Sequence, residues 1–434
     1  MNRLDFMAFS TSLCYTSNIG GIVMSFYLES LSELEKEIIT ELEKLYIYDC
    51  HEHLDPESKR LAQEPDAFTL FSHYCQHDLY TAGMDKETMA KILWQPGDID
   101  WKWRTFEPFY KKSKHTSYFR AAHIAMEKFY GDEELTSANV HIVSDRIKKA
   151  NTKGLYDRVL RDSCKIIASI NCDGPLDDTH SGRILQTVRA IDEICSREAI
   201  MKTLSGKTGS LDDVLEVCQK HIRHAKAMKA VGIKFLAFPI DEVTREDAKA
   251  TLARLLADPS LQLPRRNPLN EFILCYQMRT AHENELVCCV HTGYWNDYRE
   301  LSPANLLPFI MKNQDVKIDL YHVGYPYVRE AIMLGKVWPN VRMNMCWTYL
   351  ISQRFAFDAL DEMIEMLPDN KIFGFGGDYY VVEKVFGHLT MARETIARVL
   401  AKKVRDKALT LERALEIARK MLYDNPKEFY GFKD

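Results

Sequence analysis

Two histidines, His51 and His53, stand one residue apart in the stretch YIYDCHEHLDPE, just after a short apolar run. In an extended chain residues i and i+2 point to the same side, so two neutral imidazoles spaced this way can hold one cation between them. An ion needs further donors. Three stretches downstream share one pattern, an apolar run followed at once by a ligand type. They place His291 after LVCCV, His322 after VKIDLY and Asp378 after KIFGFGG. His291 or His322 can add a third nitrogen and Asp378 an anionic oxygen. Imidazoles with one carboxylate suit zinc, and nearly as well manganese or iron. The chemistry of such a centre is activation of water or polarisation of a carbonyl. Asp378 would take a proton from water and hand it to the leaving group. His322, where it is not a ligand, would stabilise negative charge on a substrate oxygen.

Specificity needs other groups. Arg189, in QTVRAID, can form a bidentate pair with a substrate carboxylate. Lys234, in GIKFLAF, is expected at the substrate or in the core. Trp347 can wall the pocket, and Tyr379, Tyr380, Tyr325 and Trp295 follow ligand positions closely enough to line it. His73, His77 and Arg104 can reach over the mouth as a lid. Cys50 and Glu52 alternate away from the two histidines and read as packing and support. His221, His224 and Lys220 read as the solvated face of a helix.

These residues must be carried by a scaffold that brings distant stretches together. Eight strand-like runs occur, at 46–50, 164–170, 184–190, 233–238, 286–290, 316–321, 341–347 and 371–377. Most are separated by helix-sized segments. One such helix is capped by Ser210 with Asp213 and ended by Gly232, another is capped at Thr244, and another opens at Ser302-Pro303. Strand–helix alternation implies parallel βα units, and eight of them imply a closed (β/α)8 TIM barrel, whose chemistry sits at the C-terminal ends of the strands. An open doubly wound sheet is the alternative architecture, but GFGG lacks the third glycine and the following helix of a dinucleotide site. Residues 1–29 read as a flexible extension, with Met24 as a second possible start, and 30–434 as the barrel. A long helical insertion occupies about 55–160, after the first strand.

The chain has 434 residues, 46% of them hydrophobic, with 57 Lys and Arg against 62 Asp and Glu. There is no basic excess to bind nucleic acid and no run approaching the roughly 18 apolar residues of a membrane span. The 11 cysteines are scattered without a disulfide or zinc-knuckle pattern, so reduced thiols and a cytoplasmic setting are expected. The expected partner is a small-molecule substrate, and a homo-oligomer is expected from the prevalence of symmetric assemblies.

Taken together, the chain resembles the amidohydrolase superfamily of metal-dependent barrels. Its first-strand His-x-His is similar to His51 and His53, its fifth- and sixth-strand histidines to His291 and His322, and its eighth-strand aspartate to Asp378. HTGYW, YHVGYP and FGFGGDYY resemble the branch that holds decarboxylases, lactonases and related hydrolases. The insertion, with DLYTAGM and WKWRTFEPFY, resembles uronate isomerases. Binuclear members carry a bridging carboxylated lysine at the end of the fourth strand; Lys234 lies early in its strand, so one ion is expected rather than two. The resemblance implies a metal-dependent hydrolase acting on a small carboxylate-, lactone- or amide-bearing molecule. A uronate-isomerase-like enzyme or a decarboxylase on the same centre is the alternative, and a non-catalytic binding barrel a second one.

Overall fold

The computed structural model describes residues 31–172, 184–204, 209–295 and 297–432; the expected extension at 1–29 lies outside them. Eight parallel strands follow one another in chain order round a single sheet. They are β1 (Ile47–Glu52), β2 (Ile166–Cys172), β3 (Ile184–Arg189), β4 (Gly232–Leu236), β5 (Val287–His291), β6 (Ile318–Tyr321), β7 (Val341–Asn344) and β8 (Ile372–Phe373). Runs such as VCCVH in β5 are buried at every position, as strands covered on both faces must be. The fold is the expected (β/α)8 barrel, with strand boundaries a few residues from those read in the sequence.

Neighbouring strands pair from β1 to β8, with register shifts only in the β1–β2 ladder, but the barrel closes irregularly. β8 pairs with β7 over only two residues, Ile372 and Phe373. The chain beyond it then meets β1 through Cys50 N–H to Phe375 O (3.1 Å), Asp378 N–H to His51 O (2.8 Å) and His53 N–H to Tyr379 O (3.2 Å). The seam of the barrel is therefore the place where the segment bearing His51 and His53 touches the one bearing Asp378.

Helix boundaries follow the capping chemistry. Ser210 and Asp213 form a reciprocal capping box for the helix Leu211–Ala227, and Thr244 with Asp247 does the same for Arg245–Ala257; each arrangement satisfies amides that would otherwise have no partner. Gly232 does not end the first of these helices. It opens β4, where a Cβ would come within 2.7 Å of the Val287 carbonyl on β5.

Between β1 and β2 the chain builds a helical layer. Its longest members are Ile99–Ser113, Ser117–Tyr130 and Val140–Ala150, with Gly131 in the left-handed region (φ +77°) closing the second. Ser117–Tyr130 packs on the long helix Val382–Arg405 that follows β8. The two approach so closely that a Cβ on Gly387 would overlap the Ala121 carbonyl. Under this layer Arg60 donates to Glu383 (2.9 Å), which also accepts from the Tyr130 hydroxyl (2.8 Å); all three are buried. The opposite end of the barrel is plugged by the C-terminal residues: Tyr430 donates to the buried Asp319 at 2.6 Å. Among the described residues no helix is long and apolar enough to cross a membrane.

Candidate metal centre and active-site cavity

β1 delivers His51 and His53 to the same side, as the period of a strand requires. The turn after β8 delivers Asp378. His51 Nε2 and His53 Nε2 each lie 3.4 Å from Asp378 Oδ1, and one ligand atom from each of the three residues falls within 4.8 Å of the others. Burial holds both imidazoles below their usual range, His53 down to about 3, helped by the neighbouring Lys234 ammonium. The rings are therefore neutral at physiological pH, the form that ligates metals. Burial pushes Asp378 the other way, up to about 7, against the Lys234 charge and a hydrogen bond from Tyr74. A carboxylate so desolvated is stabilised by an adjacent cation.

His291 ends β5 and lines the same cavity without joining that triangle. Its protonation is set by its neighbour. His322 Nδ1 faces the Cys346 carbonyl at 3.0 Å, which can only accept, so Nδ1 carries the hydrogen. Burial keeps His322 neutral, so its Nε2 accepts from His291 Nδ1 at 2.9 Å. His291 Nε2 is thereby left with its lone pair, buried and without a hydrogen bond among the described residues. An unsatisfied buried acceptor beside two neutral imidazoles and a carboxylate is what a divalent ion of borderline softness fits. His51, His53 and Asp378, with His291 at their side, would hold it.

The cavity above these groups has a volume of about 220 Å³. Arg189, Lys234 and Trp347 line it as expected, together with His73, Tyr74, Trp295 and Tyr380. Lys234 is buried in the middle of β4. Its Nζ lies 3.4 Å from His51 Nε2 and 3.8 Å above the Tyr321 ring. Trp347 sits in a stack, 5.0 Å from Tyr74 and 5.4 Å from Tyr294.

Three expected contributors stand elsewhere. His322 is fully buried with both ring nitrogens engaged, so it orients His291 and presents no free nitrogen to a substrate. Tyr325 turns outward against Phe355. Tyr379 is buried behind the cavity wall, with its ring against Tyr74 and the Lys384 ammonium. Of the lid candidates, His73 reaches the cavity wall and His77 approaches Trp295 at 6.2 Å, whereas Arg104 is exposed and lies outside the lining.

Tyr74 is the contributor the sequence did not reveal. It lines the cavity with Asp378, whose pKa its hydroxyl lowers against burial, and it lies in the insertion, where no motif marks it. His73 beside it has φ +59°, and His322, Trp347 and Asp378 are also in the left-handed region, at +69°, +61° and +58°. Such conformations cost about 1–3 kcal/mol each in a residue with a side chain and collect at functional sites. Three of these side chains, His73, Trp347 and Asp378, line the cavity, and His322 backs it through His291.

Comparison with known proteins agrees with the barrel fold. The family model described as Amidohydrolase matches residues 210–432, half of the chain. Protein fluG of Emericella nidulans is 25% identical over 207 residues, 45% of this chain; the match spans about a quarter (24%) of that relative's own length. Among solved structures, uronate isomerase from Thermotoga maritima superposes with a TM-score of 0.78 at 17% identity, covering 94% of this chain and 99% of that one. Glucuronate isomerase from Caulobacter crescentus gives 0.72 at 18%, covering 92% and 94%. At these identities the likeness is one of fold.

Proposed function

The chain belongs to the amidohydrolase family, and from that premise we propose that it is a metal-dependent hydrolase of a small carboxylate-bearing amide, ester or lactone, working with one zinc ion. The observation that carries this reading is the convergence of His51, His53 and Asp378 on one point, at the floor of a cavity whose wall presents Arg189 and Lys234. A bound divalent ion supplies Lewis acidity at that floor.

The protein's own groups do the rest. Arg189 binds the substrate carboxylate with a planar fork of donors. Lys234 adds a second positive charge beside the reacting centre and stabilises developing negative charge. Asp378 takes the proton of the attacking water and returns it to the leaving group. The Tyr74 hydroxyl holds the Asp378 carboxylate and can relay its proton. Trp295, Trp347 and Tyr380 exclude bulk water. Lys234 also favours one ion over two, because an ammonium 3.4 Å from His51 Nε2 stands where a second cation would need an anionic bridge.

A second reading is supported by the Tyr74–Asp378 pair. Two proton-carrying groups in contact also suit transfer between adjacent carbons of an open-chain sugar acid, the reaction class named for the two solved structures of similar fold. The test is a screen of uronates, lactones and N-acyl compounds, followed by turnover of the substrate found in ¹⁸O-labelled water and, separately, in deuterium oxide. One solvent oxygen in a newly formed carboxylate supports hydrolysis. An isomeric product with no new carboxylate, carrying solvent deuterium at carbon, supports the second reading.

A further inference from the structure

β1 carries two carboxyl groups, Asp49 and Glu52, besides His51, and neither lines the cavity. Both are fully buried, and both accept from the backbone of the turn that bears Asp378. The Gly377 N–H donates to Asp49 Oδ1 at 3.1 Å, and the Tyr379 N–H donates to Glu52 Oε2 at 2.7 Å. Between them the Asp378 N–H donates to the His51 carbonyl at 2.8 Å. Three successive amides are thus held by one strand: side chain, main chain, side chain. Asp49 reaches the other ligand segment as well. It accepts from the His51 N–H (3.3 Å) and from the Ser169 hydroxyl on β2 (2.9 Å).

This arrangement answers a structural need. The regular ladder of β8 stops at Phe373, so ordinary strand pairing does not fix the chain five residues further on. Asp378 also holds a left-handed backbone, φ +58°, which a residue with a side chain keeps only where its surroundings over-determine it. Glu52 fits so tightly under the turn that a Cβ on Gly377 would overlap its Oε1. Two anchors on either side of Asp378 set the direction of its carboxylate.

We propose that Asp49 and Glu52 are positioning residues that hold Asp378 in register with His51 and His53. On this view β1 and the residue that follows it supply two ligands directly, and β1 aims the third through the backbone amides of residues 377 and 379. The inference rests on the reading of His51, His53 and Asp378 as metal ligands.

The test is zinc affinity, measured by competition with a chromophoric chelator at one fixed pH on the full chain. Folding is checked by circular dichroism and thermal melting. Glu52→Ala and Asp49→Ala should each weaken zinc binding roughly 10–100-fold, the usual loss when groups supporting a ligand are removed. Glu52→Gln and Asp49→Asn keep an acceptor oxygen and should stay within about threefold of wild type. His53→Ala, which removes a ligand, serves as the control.

If the wild type binds no zinc, or His53→Ala binds it equally well, the metal-site reading itself fails. If His53→Ala loses zinc while the folded alanine variants keep wild-type affinity, the positioning role is overturned. It is also overturned if the Gln and Asn variants are as weak as the alanine ones. Failure of both alanine variants to fold, beside folded Gln and Asn variants of wild-type affinity, overturns it too, since the pair would then serve the fold alone.

Discussion

The 2.9 Å hydrogen bond between His322 Nε2 and His291 Nδ1 turns two buried histidines into one unit. Because the Cys346 carbonyl fixes the far end of the chain, the only ring nitrogen left with an open lone pair is His291 Nε2. Replacing His322 with alanine should free His291 to rotate and to change tautomer. Zinc affinity is expected to fall roughly 10–100-fold, with far-UV circular dichroism unchanged. An unaltered affinity would show that His291 takes no part in holding the ion.

Arg189 ends β3 at the cavity wall, where its fork of donors would meet a substrate carboxylate. Once a carboxylate-bearing substrate is found, Arg189→Ala should raise KM with little change in kcat. A lost charged hydrogen bond is worth about 1.5–3 kcal/mol, which is roughly 10–150-fold in KM. A fall in kcat with KM unchanged would move Arg189 from binding to the reaction itself.

The buried ion pair between Arg60 and Glu383 ties the helical layer to the long helix behind β8. Glu383→Gln leaves the Arg60 guanidinium buried beside a neutral amide. Breaking one partner of such a pair costs about 3–5 kcal/mol, measurable as a lower midpoint in urea at unchanged slope. A loss below about 1 kcal/mol would mean that water reaches Arg60 in solution.

Lys384 gives a pH dependence whose sign can be worked out. Its ammonium is fully buried, donates to the Ser72 carbonyl at 2.5 Å, and is pulled down to about 8 by burial. A base whose folded pKa is depressed contributes stability that is complete above its unfolded value, near 10.5, and lost as pH falls through about 8. Lys384→Met removes that contribution. The stability of wild type relative to the variant should therefore rise between pH 8 and 10, by at most about 1.4 kcal/mol per pH unit. Urea titrations of both proteins at the two pH values test this, and a constant difference would contradict it.

Much of the barrel was legible in the chain because its cause is local. A run such as LVCCV is fit for a strand buried on both faces, and Ser210 with Asp213 announces a helix start. The cluster of His51, His53 and Asp378 is legible for a similar reason: the strand period puts His51 and His53 side by side, and one residue type able to bind a metal stands after each of three later strands. What escaped notice depends on contacts across long separations. Tyr74 reaches Asp378 from 304 positions away in sequence, and nothing in FSHYCQ marks it. Glu52 was read as support, but its partner, the Tyr379 amide, is a backbone group that no motif records. His322 was taken for a catalytic group because sequence shows which residue follows a strand, not which carbonyl waits beside its ring. The left-handed turns at His322, Trp347 and Asp378 are equally silent, since none of these residues is a glycine.

The central claim is that His51, His53 and Asp378 hold one divalent ion. Its most direct test is metal content per chain, by elemental analysis of protein purified without chelators or a histidine-rich tag, for wild type, His53→Ala and Asp378→Asn. The account predicts near one equivalent, most of it zinc, in wild type and little in either folded variant. Variants that retain as much metal as wild type, or a wild type that binds none after zinc is added back, would contradict it.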